Sequence, residues 1–327
     1  MSINTDTESS EELLDLLKSG AKECRCGIYL YNLDPLRRQQ IYQELETERL
    51  ERKYLEIREL YHYTNQDWNQ VALIRLLRYL SDEANRVNYM EIGLRIGFNT
   101  ILRERSSLRN LEALLIAAAG LIDTLPRDNF TNQLRKDVEY MAHKYQITPL
   151  PKENWSRRRM TPAKEPILRL VQIARLLYDN DIFFNKLISC KSRNDIFNLF
   201  NVEATSEWSK YFGESRVRRI GVEKCDLIGI NFVVPMLYAY GYYTSDDNMT
   251  SVASNLNEIL PAESNRYITK WRSYGLTPTV SYETQALIQL YTVYCKELAC
   301  ERCHLYRHMR SKGSILDKIP AFTEYQR

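Results

Sequence analysis

The sequence has few residues of the kinds that break helices or assemble common catalytic motifs. Its 327 residues include only 11 glycines and 10 prolines, which favours long helices over turn-rich β structure. Only four histidines occur, and neither a G-x-S-x-G nucleophile motif nor a glycine-rich phosphate loop is present. Residue spacing therefore assembles no active site, and the sequence favours a binding role over an enzymatic one.

The chain also lacks a strong charge of either sign and a long apolar run. Its net charge of +3 is too small to predict nucleic-acid binding by itself. The first 20 residues are acidic and polar, unlike a signal peptide. The longest apolar run, 228–241, contains Asn231 and Pro235 and is too short to cross a bilayer. We therefore expect a cytoplasmic protein with no membrane partner.

Hydrophobic periodicity predicts an all-α, multi-helix globular fold. A long helix is expected from Pro35, with charged residues at 48–53 and an opposite apolar face formed by Leu50, Tyr54, Ile57 and Tyr61. Asp67 is expected to begin the next helix. Further helices are predicted at 11–18, 85–98, 107–122, 128–145, 181–200, 223–240, 246–259, 264–274 and 282–298.

The predicted domains meet at a loop rich in proline and arginine, where the helical pattern is lost. The expected division is an acidic, partly disordered segment (1–23), an N-terminal helical domain (24–146), the connecting loop (147–166), a C-terminal helical domain (167–312) and a tail (313–327).

The same loop is a candidate nucleic-acid surface, because Trp155 lies beside Arg157, Arg158 and Arg159. An aromatic ring can stack on a base while arginines bind phosphates. The alternative is structural, with the arginines paired to acidic helix ends and Trp155 packed under the loop. The near-neutral net charge favours this alternative.

The most informative pattern is a cluster of cysteines near the C-terminus. Cys295, Cys300 and Cys303 have the spacing C-x4-C-x2-C, which can bring three thiolates onto one metal ion. Cys24 or Cys26 could supply a distant fourth ligand, giving either a zinc site or an iron–sulfur site. A metal held in this way would join the N-terminal and C-terminal regions.

Two other interpretations of these cysteines remain open, inert thiols and a redox pair, while disulfides and haem attachment are disfavoured. Seven cysteines, an odd number in a reducing compartment, are not expected to form a disulfide framework. They could instead be inert thiols that pack as small hydrophobic residues. Cys300 and Cys303 could form a redox pair. The CERCH segment also matches a haem-attachment signature, but that chemistry belongs to exported proteins and the chain shows no export signal.

Several segments together resemble the bacterial family catalogued as domain of unknown function 2851. The resemblance covers about residues 24–310, and it is most specific in ETQALIQLYTVYCKELACERC at 283–303. Other matching segments are ERLERK (48–53), DWN (67–69), LRYLSDEANRVN, EALLIAAAGLI (112–122), EPILRLVQIA (165–174), INFVVPMLYAYG (230–241) and LPAESN (260–265). Members of this family share the C-x4-C-x2-C ending and have one cysteine upstream of the ERLERK-like helix. The resemblance implies that Cys26 is this upstream cysteine.

The chain also departs from the family pattern. Full-length relatives carry a further N-terminal domain with acidic motifs like those of restriction-type nucleases, and this chain is expected to lack it. TPAKEP at 161–166 replaces a family motif, and unusual residues, His304, Leu305 and Tyr306, follow the C-x-x-C pair. We expect a non-catalytic binding module, either an accessory factor in nucleic-acid transactions or a protein–protein scaffold. A protein partner or a second copy of the chain is expected in either case.

Overall fold

Helices account for the architecture of the chain, as the sequence predicts. The structure is a computed structural model that describes residues 5–156, 161 and 164–311. Within these residues there is no β-strand, and only two isolated antiparallel bridges occur, Glu203 with Arg219 and Pro261 with Val280. The predicted all-α fold class is therefore confirmed. None of the described helices is both long enough and apolar enough to cross a membrane.

The α-helices are numbered in chain order. They are α1 (Thr5–Gly20), α2 (Gly27–Asn32), α3 (Pro35–Tyr63), α4 (Trp68–Leu80), α5 (Arg86–Arg95), α6 (Phe98–Glu104), α7 (Leu108–Ala119), α8 (Asn129–Lys144), α9 (Pro166–Asp179), α10 (Phe183–Ile188), α11 (Arg193–Phe200), α12 (Ser209–Phe212), α13 (Ser215–Arg218), α14 (Val222–Ile228), α15 (Val234–Thr244), α16 (Asp247–Ile259), α17 (Arg266–Arg272), α18 (Ser281–Gln289) and α19 (His304–Ser311).

The chain divides into two compact units. Unit 1 consists of Met1–Lys53 and Asn257–Arg327, and unit 2 consists of Tyr54–Leu256. This division falls at different places from the predicted one, because unit 1 combines the two ends of the chain. Hydrogen bonds to the end of α7 hold the loop at 147–156 in unit 2. The Leu150 N–H donates to Ala118 O at 2.9 Å, and the buried Trp155 donates through Nε1 to Ala119 O at 3.0 Å.

Unit 1 has a hydrophobic core made by residues from both ends of the chain. The Trp271 indole on α17 is fully buried and donates a hydrogen bond to Leu287 O on α18 at 3.0 Å. Burial of these side chains removes apolar surface from water, which is the main force holding such a core together. Other buried members of the cluster are Leu13, Leu17, Leu30, Leu45, Ile268, Leu290, Leu305 and Met309.

In unit 2, α7 is buried on every side. Its sequence, LRNLEALLIAAA, contains leucine and alanine, which form helices readily and leave room for close neighbours. The Ser107 hydroxyl caps the start by accepting from the Asn110 N–H, and Gly120 ends the helix with a φ of 65°. Helices α8 and α9 pack against α7. This arrangement fixes the position of the single acidic residue of α7, Glu112.

The long helix α3 begins at Pro35 and carries the predicted apolar face, with Leu50, Ile57 and Tyr61 buried. The charged side is less exposed than its composition indicates, because Glu46 and Arg49 are both buried and form an ion pair at 2.9 Å. Asp67 caps α4 as expected, accepting from the Asn69 N–H at 2.8 Å.

Two segments differ from their predicted form. The predicted helix at 181–200 is two helices, α10 and α11, because Ser192 and Asp195 form a capping box that starts a new helix. Residues 5–10, expected to be disordered, form the first turns of α1. Acidic residues are favourable in the first turn of a helix, and this part of the sequence is acidic.

Candidate metal centre

The four cysteines predicted to bind a metal lie together in unit 1. Cys26, Cys295, Cys300 and Cys303 all line one cavity of about 20 Å³. A cavity of this volume can hold one water molecule or one ion of similar size. The remaining wall of the cavity is formed by Leu17, Ala21, Tyr294, Leu305, Tyr306 and Met309. Thiols from the two ends of the chain therefore meet in an apolar pocket.

Local backbone turns bring the three C-terminal cysteines to this cavity. Cys295 ends a π-helical segment, Leu290–Cys295, in which the wide turn continues as the Lys296 N–H donates to Tyr291 O at 2.8 Å. Leu298 then has a φ of 53°, and the chain reverses. A 3₁₀ turn follows, with the Cys303 N–H donating to Cys300 O at 3.0 Å. Tight turns of this kind bring the two sulfurs of a C-x-x-C pair together.

The N-terminal contribution comes from the turn before α2. Cys24 has a φ of 62°, and its carbonyl accepts from the Gly27 N–H at 2.8 Å. Both Cys24 and Cys26 hydrogen-bond to the Cys295 thiol. Only Cys26 lines the cavity, whereas Cys24 is fully enclosed by the surrounding core. The geometry therefore favours Cys26 over Cys24 as the fourth member of the group.

Burial keeps the free thiols protonated. It raises the pKa of Cys300 to about 11 and that of Cys303 to about 12. The pKa of Cys26 is raised mainly by its hydrogen bond to Cys295, and that of Cys295 mainly by its hydrogen bond to Cys24. A thiol must lose its proton to act as a nucleophile, so these values disfavour the redox interpretation.

At Cys303, two backbone hydrogen bonds oppose the effect of burial on the thiol pKa. The backbone N–H groups of Leu305 and Tyr306, in the first turn of α19, donate hydrogen bonds to its sulfur and lower its pKa, although burial outweighs them. Donors aimed at a sulfur stabilise the charged thiolate form. Such N–H groups would favour a metal-bound thiolate at this position.

Within the described part of the chain, no group of three or more histidine, cysteine, aspartate or glutamate side chains is placed so that it could hold a metal ion. The four cysteines line one cavity without forming a metal site there. The predicted metal that joins the N-terminal and C-terminal regions is therefore not supported by the structure and remains a prediction.

A second network holds the cysteine loop to α3. The His304 ring, next to Cys303, contacts Glu44 Oε2 through Nδ1 at 2.9 Å and Glu48 Oε2 through Nε2 at 2.8 Å. The Tyr294 hydroxyl, next to Cys295, donates to Glu48 Oε2 at 2.6 Å. Two of the cysteines are thus flanked by residues anchored on the same carboxylate.

Glu48 is the centre of this network. Its partial burial raises its pKa, but hydrogen bonds from Tyr294, His304 and Gln289 together hold the pKa below its ordinary value. The spacing of residues in α3 does not predict this network, because it assigns Glu48 only to the charged side of the helix. The positions of Tyr294 and His304, directly beside Cys295 and Cys303, are the one sequence feature that points to it.

The predicted nucleic-acid residues are placed only in part. Trp155 is 6% exposed, and its ring meets Tyr89 edge-on at 5.4 Å beneath the loop. The stacking role predicted for Trp155 does not fit this burial, because a base could reach the ring only if the loop opened. Arg157, Arg158 and Arg159 lie outside the described residues. The nucleic-acid surface remains a prediction.

Comparison with known families gives one match. The family model described as "Protein of unknown function (DUF2851)" matches residues 2–266. The chain belongs to this family. The matched region includes Cys24 and Cys26 but ends before the C-terminal cysteines, so it is shifted from the 24–310 region of the sequence resemblance. No curated protein and no solved structure matches the chain.

Proposed function

We propose that Cys26, Cys295, Cys300 and Cys303 bind one structural metal ion, and that the protein is a non-catalytic helical binding module stabilised by it. The convergence of these four residues on one cavity carries the proposal. Random placement of cysteines would not bring positions from both ends of the chain into one pocket. The remaining cysteines of the chain, apart from Cys24, are buried in unit 2.

Zinc fits this cavity better than an iron–sulfur cluster does. A cavity of about 20 Å³ accepts a single small ion, whereas a cluster adds several iron and sulfide atoms. Four cysteine thiolates in a tetrahedral arrangement form a common structural zinc site. Small movements of the side chains would be needed, because each zinc–sulfur distance is about 2.3 Å.

A site of this composition would be structural. Four protein ligands leave no coordination position for water or substrate, which a catalytic zinc site needs. The ion would supply a cross-link between the turn before α2 and the loop before α19. Binding releases the thiol protons, and the binding free energy becomes part of the folding free energy of unit 1.

Metal analysis of cysteine variants tests the proposal. The whole chain, purified without oxygen, is expected to contain one zinc per chain. Cys26→Ala and Cys303→Ala are expected to lose it. Cys24→Ala is the control, since Cys24 belongs to the same core as the cavity but does not line it. Cys190→Ala and Cys225→Ala serve as controls in unit 2. A metal-free wild type, or zinc retained by Cys26→Ala and Cys303→Ala, would contradict the proposal.

A further inference from the structure

A cleft in unit 2 contains a buried carboxyl group that packing alone does not explain. The cleft has a volume of about 440 Å³ and lies beside α7 and α8. Its size is within the range of small-molecule sites. The residues that line it are Leu108, Arg109, Glu112, Phe130, Gln133, Asp137 and Glu207.

Glu112 is held rigidly in the wall of this cleft. The residue is 3% exposed, and its Oε1 accepts a hydrogen bond from Nε1 of the fully buried Trp208 at 2.9 Å. Its other oxygen, Oε2, has no hydrogen-bond partner among the described residues, yet it is not one of the fully enclosed unpaired atoms. Oε2 therefore opens toward the cleft and remains available to a ligand.

Among the described residues that line the cleft, the only cation, Arg109, is already paired. Nε of Arg109 contacts Asp137 Oδ2 at 2.8 Å, and the guanidinium lies over the Phe130 ring at 4.7 Å. Because Asp137 neutralises Arg109, the carboxylates of Glu112 and Glu207 give the cleft a net negative charge. An anionic ligand would meet two carboxylates, whereas a cation would meet hydrogen-bond acceptors of opposite charge.

We propose that this cleft binds a small organic cation, an amine or a guanidinium, with Oε2 of Glu112 as the acceptor that recognises it. The Phe130 ring is already occupied by the Arg109 guanidinium at 4.7 Å and by the stacked Tyr211 ring at 5.8 Å, so recognition depends on the carboxylates. The Trp208 hydrogen bond leaves Glu112 one fixed direction for its free oxygen. Glu207 would add a second, more exposed negative charge.

Binding would be linked to the protonation of Glu112. Burial raises the pKa of Glu112 to about 7, while Trp208 and the charges of Arg109 and Arg175 lower it and Glu207 raises it. The other charged group in the cleft wall is Asp137, which is paired with Arg109. A cation prefers the ionised carboxylate, so it would release a proton on binding below pH 7. Affinity would therefore increase as the pH rises through 7 and then level off.

Butylguanidinium and its neutral isostere butylurea provide a matched pair of probes. Calorimetric titration of the full chain is expected to detect butylguanidinium and not butylurea. The affinity at pH 8 should exceed that at pH 6 by about tenfold, as one carboxyl with a pKa near 7 requires. Equal binding of the two probes would overturn the proposal, as would the absence of butylguanidinium binding or affinity independent of pH.

Two variants separate recognition from folding. Glu112→Gln keeps an oxygen that can accept from Trp208, and it should reduce affinity at pH 8 at least tenfold and abolish the pH dependence. If Glu112→Gln does not fold, Glu207→Gln, at the exposed rim, should still weaken binding about two- to threefold by removing one rim charge. Glu91→Gln, on α5, is the control and should bind as the wild type does. Wild-type affinity and pH dependence in folded Glu112→Gln would contradict the assignment.

Discussion

Glu46 on α3 shows how one residue can make the stability of unit 1 depend on pH. It is 6% exposed, and its Oε1 accepts hydrogen bonds from Arg49 at 2.9 Å and from Asn257 at 2.5 Å. Its Oε2 is enclosed and has no partner among the described residues. Burial raises the pKa of Glu46 to about 7, although Arg49 and Asn257 lower it. A buried charge with one unsatisfied oxygen is costly.

The pKa of Glu46 predicts that its contribution to stability decreases as pH rises. The folded pKa of about 7 exceeds the unfolded value, so the stabilising effect is complete below about pH 4.3 and is lost as pH rises through 7. The loss is on the order of 3 kcal/mol. Urea unfolding at pH 5 and pH 8 should show a smaller loss of stability in Glu46→Gln than in the wild type. Glu51→Gln, on the exposed face of α3, should lose as much stability between pH 5 and pH 8 as the wild type does. An equal loss in all three proteins, including Glu46→Gln, would refute the role of Glu46.

At the scale of secondary structure, the end of α7 depends on a glycine. The Gly120 N–H donates to Ile116 O and Ala117 O, and its φ of 65° is favourable only without a side chain. A Cβ atom at this position would lie 2.2 Å from Leu150 O. The Leu150 N–H donates a hydrogen bond to Ala118 O of α7, so this loop is also held against the helix. Gly120 therefore allows the loop to pass close to the helix.

Gly120→Ala is expected to destabilise unit 2 by about 2–4 kcal/mol, combining left-handed backbone strain with overpacking against the loop. Thermal unfolding of the full chain measures this effect. Gly97→Ala is the control, because a Cβ at Gly97 meets nothing within 4 Å and its φ is negative. Its cost should be at most about 1 kcal/mol, for the change of a helix N-cap. Similar losses in both variants would show that the contact with Leu150 is unimportant.

Helices could be predicted from the sequence where neighbouring residues carry a periodic or capping pattern. The apolar spacing along α3 and the cap at Asp67 identified two helices, because side chains four residues apart share a helix face. The break at Ser192 was missed, although the Ser192–Asp195 spacing is a capping signal. The three C-terminal cysteines were identified by their spacing, while Cys26 was selected from the family resemblance.

The remaining parts of the site have no local signature. Tyr294 and Glu48 are 246 residues apart, and His304 and Glu48 are 256 residues apart. Contacts at such separations leave no periodic pattern in one sequence. For the same reason the sequence does not single out Glu112, since neither its bond to Trp208 nor the cleft beside it follows from neighbouring residues. Fold class was therefore predictable, but the organisation of the site was not.

At the scale of the whole molecule, the two ends of the chain form one unit. Residues before Lys53 share a core with residues after Asn257, so unit 1 can form only after the intervening chain has been closed into a loop. Closing a long loop costs conformational entropy, and a cross-link within unit 1 would offset part of that cost. The predicted protein partner remains a prediction at this scale.

The proposed metal predicts a selective effect of chelation. Removing zinc should increase hydrogen exchange in α2 and α19, which directly follow the cysteine turns, and leave α7 in unit 2 unchanged. Mass spectrometry of the full chain, with and without a zinc chelator, measures both regions in one sample. The Cys24→Ala protein should respond as the wild type does. A uniform increase across both units, or no increase near the cysteines, would count against a metal within unit 1.

X-ray absorption at the zinc edge would show whether one metal ion joins the four cysteines. The measurement reports the elements bound to the metal and their distances in the intact chain. We expect a first shell of four sulfur atoms at about 2.3 Å, contributed by Cys26, Cys295, Cys300 and Cys303. A first shell containing nitrogen or oxygen at about 2.0–2.1 Å, or protein without bound metal, would contradict it.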